Sequence, residues 1–265
     1  MSERGAVGFI GLGNIGAPMA KGLRKWPGGL IVCDANEAAV APFVAKGVAA
    51  VETGAEVAKL ASVICVMVQN ATQVEAVLVG PDGILATAEA GTVVAVHSTI
   101  SPEDAERLAA IAAESGVDLV DAPVSGGAMG AHGGTLAIMV GGTEEAAAKC
   151  EPVFGYFAEL VAYMGPIGSG TRTKIARNLI TFASFAAVGE AQRLAEAAGL
   201  DLTKLGEVVR HSDAVTGGPG AIMLRPQAGE MAPDDGLRPI FAHSGVLGSK
   251  DLMLAIAMAD SLGVE

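Results

Sequence analysis

The period of the apolar positions changes part-way along the chain. In the first half, short apolar runs alternate with segments whose apolar residues recur every three or four positions. "AVGFIGLG" reads as a strand ending in glycines, "APMAKGLRKW" as a helix and "GLIVCDA" as a second strand. "EAAVAPFVAKG" is helical, "VAAV" is a short strand, and "GAEVAKLA" leads into the strand "SVICVMV". "ATQVEAVLVG" is again helical and "TVVAVHST" a strand. "SPEDAERLAAIAAESG" is marked as a helix at both ends. Ser101 suits the N-cap, Pro102 the first turn, Asp104 the positive end of the dipole and Gly116 the stop. "VDLVDAPVSG" follows as a further strand. Strands alternating with helices predict a parallel, doubly wound α/β sheet.

After about Gly165 the strand-like runs cease. "TRTKIARNLITFASFAAVGEAQRLAEAAG" is one long helical segment, apolar on several sides, as in a helix buried on several faces. "DLTKLGEVVRHS" and "KDLMLAIAMADSLG" are further helices, joined by the Gly- and Pro-rich connector "GGPGAIMLRPQAGEMAPDDGLRPIF". The pattern divides the chain into an α/β domain over 1–165 and an all-α domain over 166–265.

At 265 residues the chain can bury a real core in one large domain or two ordinary ones. It is 51% hydrophobic, which raises the question of a membrane. No apolar run reaches the roughly 20 residues of a spanning helix. The N-terminus "MSERGAVGFIG" lacks a signal-peptide layout, so a cytoplasmic location without membrane partners is expected. A net charge of −12 argues against a broad basic face for nucleic acid. Cys33, Cys65 and Cys150 lie far apart, and the first two sit in strand-like runs as small apolar residues rather than in a disulfide framework. The four histidines show no metal-ligand spacing, and no metal is expected.

Candidate chemistry begins at Gly11-Leu12-Gly13-Asn14-Ile15-Gly16. This G-x-G-x-x-G turn follows a strand and opens a helix, the context of a dinucleotide fingerprint. Gly11 permits the tight turn, Gly13 the approach of a pyrophosphate, and Gly16 close packing of helix on strand. The helix N-terminus then faces the anion. Asp34 ends the second strand at about the distance of an acid that binds the adenosine ribose hydroxyls. Its charge repels a 2′-phosphate, and the next residue is Ala35, not arginine, so NAD is favoured over NADP. Ser125-Gly126-Gly127 can form an anion nest suited to a substrate carboxylate. Ser98 and Thr99 stand at the carboxyl end of a strand, where open α/β sheets bind ligands. Lys250 and Asp251 are expected at the start of a late helix. In "GSGTRTKIARNLI", Arg172, Lys174 and Arg177 crowd the beginning of a helix, where cations are disfavoured.

Together, "GFIGLGNIGAPMA", "DAPVSGGAMGAHGGTL", "GSGTRTKIARN" and "KDL" make the chain resemble the β-hydroxyacid dehydrogenase family over nearly its whole length. This is the group of 3-hydroxyisobutyrate dehydrogenase and tartronate semialdehyde reductase. The resemblance implies an N-terminal Rossmann domain, a long connecting helix and a helical C-terminal domain that forms a homodimer or homotetramer. It implies hydride transfer between a nicotinamide cofactor and a small 3-hydroxy acid or its semialdehyde. It makes Lys174 the catalytic lysine and Asn178 its neighbour, gives the substrate carboxylate to Ser125, Gly126 and Gly127, and places Val68, Thr99 and Lys250 at the cofactor. A helix N-terminus, neighbouring cations and partial burial would lower the Lys174 pKa towards the roughly 7–8 that a general base needs. Asn178, four residues on, shares its helix face.

The chain departs from the family pattern in three places. Met67-Val68-Gln69-Asn70 lacks the proline common in that cofactor loop, which is therefore expected to be more mobile. Leu179 replaces a frequent second asparagine. The chain stops at "SLGVE", where many relatives carry a further helical segment, so closure of the site by such a tail is not assumed. The rival readings are an imine reductase-like enzyme, a group that commonly lacks the lysine, and a non-catalytic NAD-binding sensor. For the substrate's distal group, His211, Ser212, Phe241, His243 and Ser244 are candidates.

Overall fold

The computed structural model describes residues 5–216, 225 and 229–262. It comprises two compact units, 1–174 and 175–265. In the first, strands and helices alternate in the order β1 (Ala6–Ile10), α1 (Gly16–Leu23), β2 (Leu30–Cys33), α2 (Glu37–Val44), β3 (Ala49–Ala50), α3 (Gly54–Ala58), β4 (Ala61–Val66), α4 (Ala71–Leu78), β5 (Val93–Val96), α5 (Pro102–Ala113) and β6 (Asp118–Asp121). Then follow β7 (Val124–Ser125), α6 (Gly127–Gly133), β8 (Leu136–Gly141), α7 (Glu144–Phe154) and β9 (Ala158–Gly165), in a stretch where the pattern assigns no element after Gly127. The sheet runs β3-β2-β1-β4-β5-β6-β8-β7, with β9 paired to β8. Strands β1 to β6 are mutually parallel. β8 lies antiparallel to β6 and β7, and β9 parallel to β8.

Both faces of the central strands are covered, which is why they read as continuous apolar runs. In β4, Val63 and Cys65 join one core with Phe9, Met19, Leu136, Phe154 and Phe157. Ile64 and Val66 join the other, with Leu78, Ile84, Val94 and Leu108. Each large side chain buried this way contributes roughly 1.5–3 kcal/mol.

Reversal of strand order beside β1 puts a crevice outside the carboxyl ends of β1 and β4. β2, β5 and β6 end on the same edge, so Gly11, Asp34, Met67, Ser98 and Asp121 cap neighbouring strands. Behind that edge, His97 is buried with its ring edge-on to Phe154 and Phe157. Its Nδ1 lies 2.8 Å from the Ala122 carbonyl and donates to it, so the neutral ring carries its proton on Nδ1.

The second unit is helical. α8 (Ser169–Ala197) begins in the first unit and continues into the second, followed by α9 (Leu202–Thr216) and α10 (Arg238–Leu262). Two expectations are corrected here. The helix carrying Lys250 and Asp251 starts at Arg238, so the two residues lie in its middle. Within it, Gly248 lets α10 approach α8, where an added Cβ would lie 2.8 Å from the Phe182 ring. Nor is α8 buried on several sides within one chain, for Ile180 and Leu194 are 71% and 74% exposed. Over Arg238–Met258, α10 is long and apolar enough to cross a membrane by length and composition. It nevertheless carries the Lys250–Asp251 ion pair at its centre, which lipid disfavours.

Burial lowers the His97 pKa from 6.5 to about 4. The unfolded chain therefore binds a proton that the folded chain refuses, and stability falls as pH drops from about 6.5 towards 4. Urea unfolding is expected to show a loss of about 2 kcal/mol between pH 7 and pH 5 from this residue, and His97→Gln a flatter profile. Equal pH slopes in the two proteins would remove His97 from the account.

Candidate active site

Two glycines of the first turn are dictated by the protein itself. Gly11 has φ +96°, and an added Cβ would stand 2.2 Å from the Met67 carbonyl oxygen. At Gly16 it would stand 2.0 Å from the Gly11 carbonyl oxygen. Gly13 is different, because it is exposed, has no positive φ and would meet nothing within 4 Å. Its bare backbone has no internal explanation and suits the close approach of a ligand. The N-terminus of α1 points the same way, since no side chain caps it at Ile15. In contrast, α2, α3, α4, α5 and α7 are capped by Asn36, Thr53, Asn70, Ser101 and Thr143. The turn thus fits a dinucleotide pyrophosphate, which would face the positive end of α1 with Asn14 and Ile15 beside it.

The Asp34 carboxylate is already engaged. Oδ2 accepts from Leu12 N–H at 2.5 Å and Oδ1 from Asn36 N–H at 2.7 Å. One carboxylate therefore ties the glycine turn to β2 and shapes the "DANE" turn. A carboxylate has about four acceptor positions, so two remain for ribose hydroxyls.

The loop after β4, which lacks the proline, is bonded to the end of β5. The Ser98 hydroxyl accepts from Val68 N–H at 3.0 Å and donates to Val68 O at 2.7 Å. The Val68 side chain lies beside Gly11, so this loop and the glycine turn share one wall. Thr99 follows, half-buried at the end of β5.

Ser125 closes β7 and is buried, while Gly126 and Gly127 are exposed with φ of +126° and +60°. No side chain caps the helix that starts there. A few residues earlier in the same segment, Asp121 is 1% exposed. Its Oδ1 accepts from Gly168 N–H at 2.8 Å and its Oδ2 from Thr171 N–H at 2.6 Å. Burial raises its pKa and the two N–H bonds act against that rise. Asp121 is thus the cap of α8.

This changes the account of the three cations. α8 starts at Ser169, so Lys174 stands in its second turn, past the region where the dipole acts most strongly. The first turn already faces a carboxylate. Arg172 is paired with Glu106 at 2.8 Å. Lys174 is half-buried. The helix dipole therefore acts less on Lys174 than its place in the sequence suggests.

In the second unit, Asn178 and Lys250 meet through a residue to which the sequence reading gave no role of its own. Asn178 is buried and donates Nδ2–H to Asp251 Oδ2. Lys250 Nζ is 3.1 Å from Asp251 Oδ1. Because a carboxylate only accepts, this pairing fixes the orientation of the Asn178 amide. Of the distal candidates, Phe241 and Ser244 line a cavity of about 340 Å³ with Phe182 and Phe185. His211, Ser212 and His243 are exposed outside it. Part of "HSDAVTGGPG" lies outside the described residues. Among the described residues no group of three or more His, Cys, Asp or Glu could hold a metal ion.

A glycine turn at the switch point of a parallel sheet, with Asp34 behind it, defines a dinucleotide-binding protein. Residues 6–165 match the model of the NAD binding domain of 6-phosphogluconate dehydrogenase. Residues 168–265 match that of the NAD-binding domain of NADP-dependent 3-hydroxyisobutyrate dehydrogenase. An uncharacterised oxidoreductase of Mycobacterium tuberculosis is 49% identical, over 99% of this chain and 89% of its own length. The 3-hydroxyisobutyrate dehydrogenase of Pseudomonas aeruginosa is 35% identical, over 97% and 86%. A Mycobacterium tuberculosis 3-hydroxyisobutyrate dehydrogenase structure with L-serine superposes with a TM-score of 0.78 at 30% identity, over 99% and 89%. The chain belongs to the β-hydroxyacid dehydrogenase family, and is an oxidoreductase of the nicotinamide-dependent hydroxyacid dehydrogenase class.

The two kinds of glycine predict opposite outcomes. Gly13→Ala should leave Tm within about 2 °C and weaken NADH binding about tenfold or more. Gly16→Ala should lower stability by about 2 kcal/mol. Thermal unfolding and NADH fluorescence titration check both, and undiminished NADH affinity in Gly13→Ala would dismiss the cradle.

Proposed function

We propose that the chain interconverts a small 3-hydroxy acid and its semialdehyde with NAD, using Lys174 as the general acid/base. The observation that carries this is the anchoring of α8. Lys174 stands one turn beyond an N-terminus bonded to Asp121, and Asp121 heads the segment that carries Ser125, Gly126 and Gly127. When bound, the dinucleotide supplies the hydride acceptor for oxidation and the donor for reduction.

This chain's residues hold the substrate and move its proton. Ser125 and the N–H groups of Gly126 and Gly127 hold the substrate carboxylate. Neutral Lys174 takes the hydroxyl proton during oxidation, and protonated Lys174 returns it during reduction. Asn178, with one amide hydrogen given to Asp251, keeps another for the substrate. Gly11 to Gly16 cradle the pyrophosphate, Asp34 takes the ribose, and Val68, Thr99 and Lys250 complete the cofactor site. The Asp34 charge, with Ala35 beside it, supports NAD over NADP.

The division we propose is a dinucleotide-binding domain over 1–165 and a helical substrate and oligomerisation domain over 166–265. The junction of the two family matches supports it. The first compact unit runs on to Lys174 because the first turn of α8 is bonded to Asp121. Exposed Ile180 and Leu194 on α8, Val208 on α9 and Val246 on α10 support a homodimer or homotetramer.

The test is NAD⁺ and NADP⁺ reduction at alkaline pH with 3-hydroxyisobutyrate, 3-hydroxypropionate, 4-hydroxybutyrate, D-glycerate and L-serine. Turnover is expected with NAD⁺ and at least one of these acids, and should fall about 100-fold or more in Lys174→Ala with NADH affinity unchanged. Full turnover by that variant would end the acid/base assignment. Turnover only of an imine would favour the rival reductase reading.

A further inference from the structure

We propose that Asp121 is a positioning residue for Lys174, acting through the first turn of α8. The inference rests on the acid/base reading of Lys174 given above. Asp121 ends β6, and its carboxylate is buried where the chain returns, 47 and 50 residues later, as Gly168 and Thr171. Both oxygens are used, each by a different N–H, so the carboxylate fixes the rotation of the turn as well as its distance.

The surrounding backbone leaves that turn little freedom. A Cβ on Gly170 would stand 2.3 Å from Met139 O and 2.4 Å from Asp121 O. One on Gly141 would stand 2.3 Å from Asp121 Oδ1 and 2.7 Å from Gly170 N. The ends of β6 and β8 and the start of α8 therefore pack backbone to backbone, with the carboxylate between them.

Two segments leave this point. One runs from Asp121 through Ala122 and Pro123 to Ser125, Gly126 and Gly127. The other runs from Thr171 to Lys174 within α8. A single side chain thus anchors both the loop given to the substrate carboxylate and the helix that presents the proton-transfer group. A shift of about 1 Å in such a placement can slow a reaction 100-fold. Cofactor affinity should be indifferent to it, since the pyrophosphate cradle stands on β1 and β2.

Asp121→Asn keeps the shape but turns an NH₂ towards one of two N–H donors, so one half of the anchor is lost. In the full chain with NAD⁺ and its best hydroxy acid, kcat is expected to fall at least tenfold. NADH affinity should stay within twofold, and a primary deuterium isotope effect at the carbinol carbon should increase. A kcat and isotope effect like those of the unaltered chain, in a folded variant, would overturn the proposal. Lys174→Ala is measured alongside. If it retains turnover, the parent reading and this inference fall together; if it is inactive while Asp121→Asn is unimpaired, this inference alone falls. Amide hydrogen exchange on the unaltered, NADH-bound protein needs no variant. Slow exchange at Gly168 and Thr171 is expected, and exchange at the rate of unbonded first-turn amides would overturn the proposal even if Asp121→Asn failed to fold.

Discussion

A helix begins with N–H groups that its own turns cannot accept, and α8 begins where water cannot reach them all. Asp121 meets two of those groups from another strand. Burying an ionised carboxylate costs several kcal/mol. Two charge-assisted hydrogen bonds return about 1.5–3 kcal/mol each, and the helix dipole adds up to about 2. The opposing terms are of similar size, so the interaction adds little net stability. What it supplies is definition, because removing the carboxylate would strand two buried donors at about 1–3 kcal/mol each. The first turn of α8 is therefore tied to the end of β6 in one rotation.

The same economy of caps marks the rest of the first unit. Five of its helices satisfy their N-termini with a local Asn, Ser or Thr side chain. α1 has no such side chain, and it follows the exposed, uncrowded Gly13. A protein-filled cap at Ile15 would compete with an anion for the same N–H groups. The lack of a side-chain cap there makes sense if a ligand lies against the helix end, as suits the NAD binding domain matched by residues 6–165.

Much of this was legible in the sequence because the signal was local. Strands covered on both faces announced themselves as apolar runs, and Ser101, Pro102 and Asp104 marked a helix start with adjacent residues. What escaped was long-range. Asp121 was visible only as the first residue of "DAPVSGG"; its partners are Gly168 and Thr171, and no spacing rule connects them. A charged residue ending an otherwise buried strand was the available signal. Asp251 was likewise named beside Lys250, while its bond to Asn178 spans 73 residues. The start of α10 at Arg238 escaped as well. Local propensity reads glycine as a break, whereas Gly248 lies in a helix interior where a neighbouring ring packs against it. The apolar character of α8 was legible and its exposure was not, since apolar composition alone does not say which positions are covered.

The three cations of α8 can now be told apart by what each is able to do. Arg172 is held by Glu106 across an exposed ion pair, worth about 0–1 kcal/mol and tied to no proton transfer. Arg177 is exposed beside Asn178. A guanidinium keeps its proton at any pH an enzyme meets, so neither arginine can alternate between acid and base. An amine can, provided that its surroundings disfavour the charged form enough to bring its pKa within reach. Of the three positions only 174 combines that chemistry with partial burial, and it lies one turn from the point where the helix is fixed to the sheet. The proposed function needs a group with both a movable proton and a fixed position, and among these three cations only Lys174 offers an amine beside an anchored helix turn.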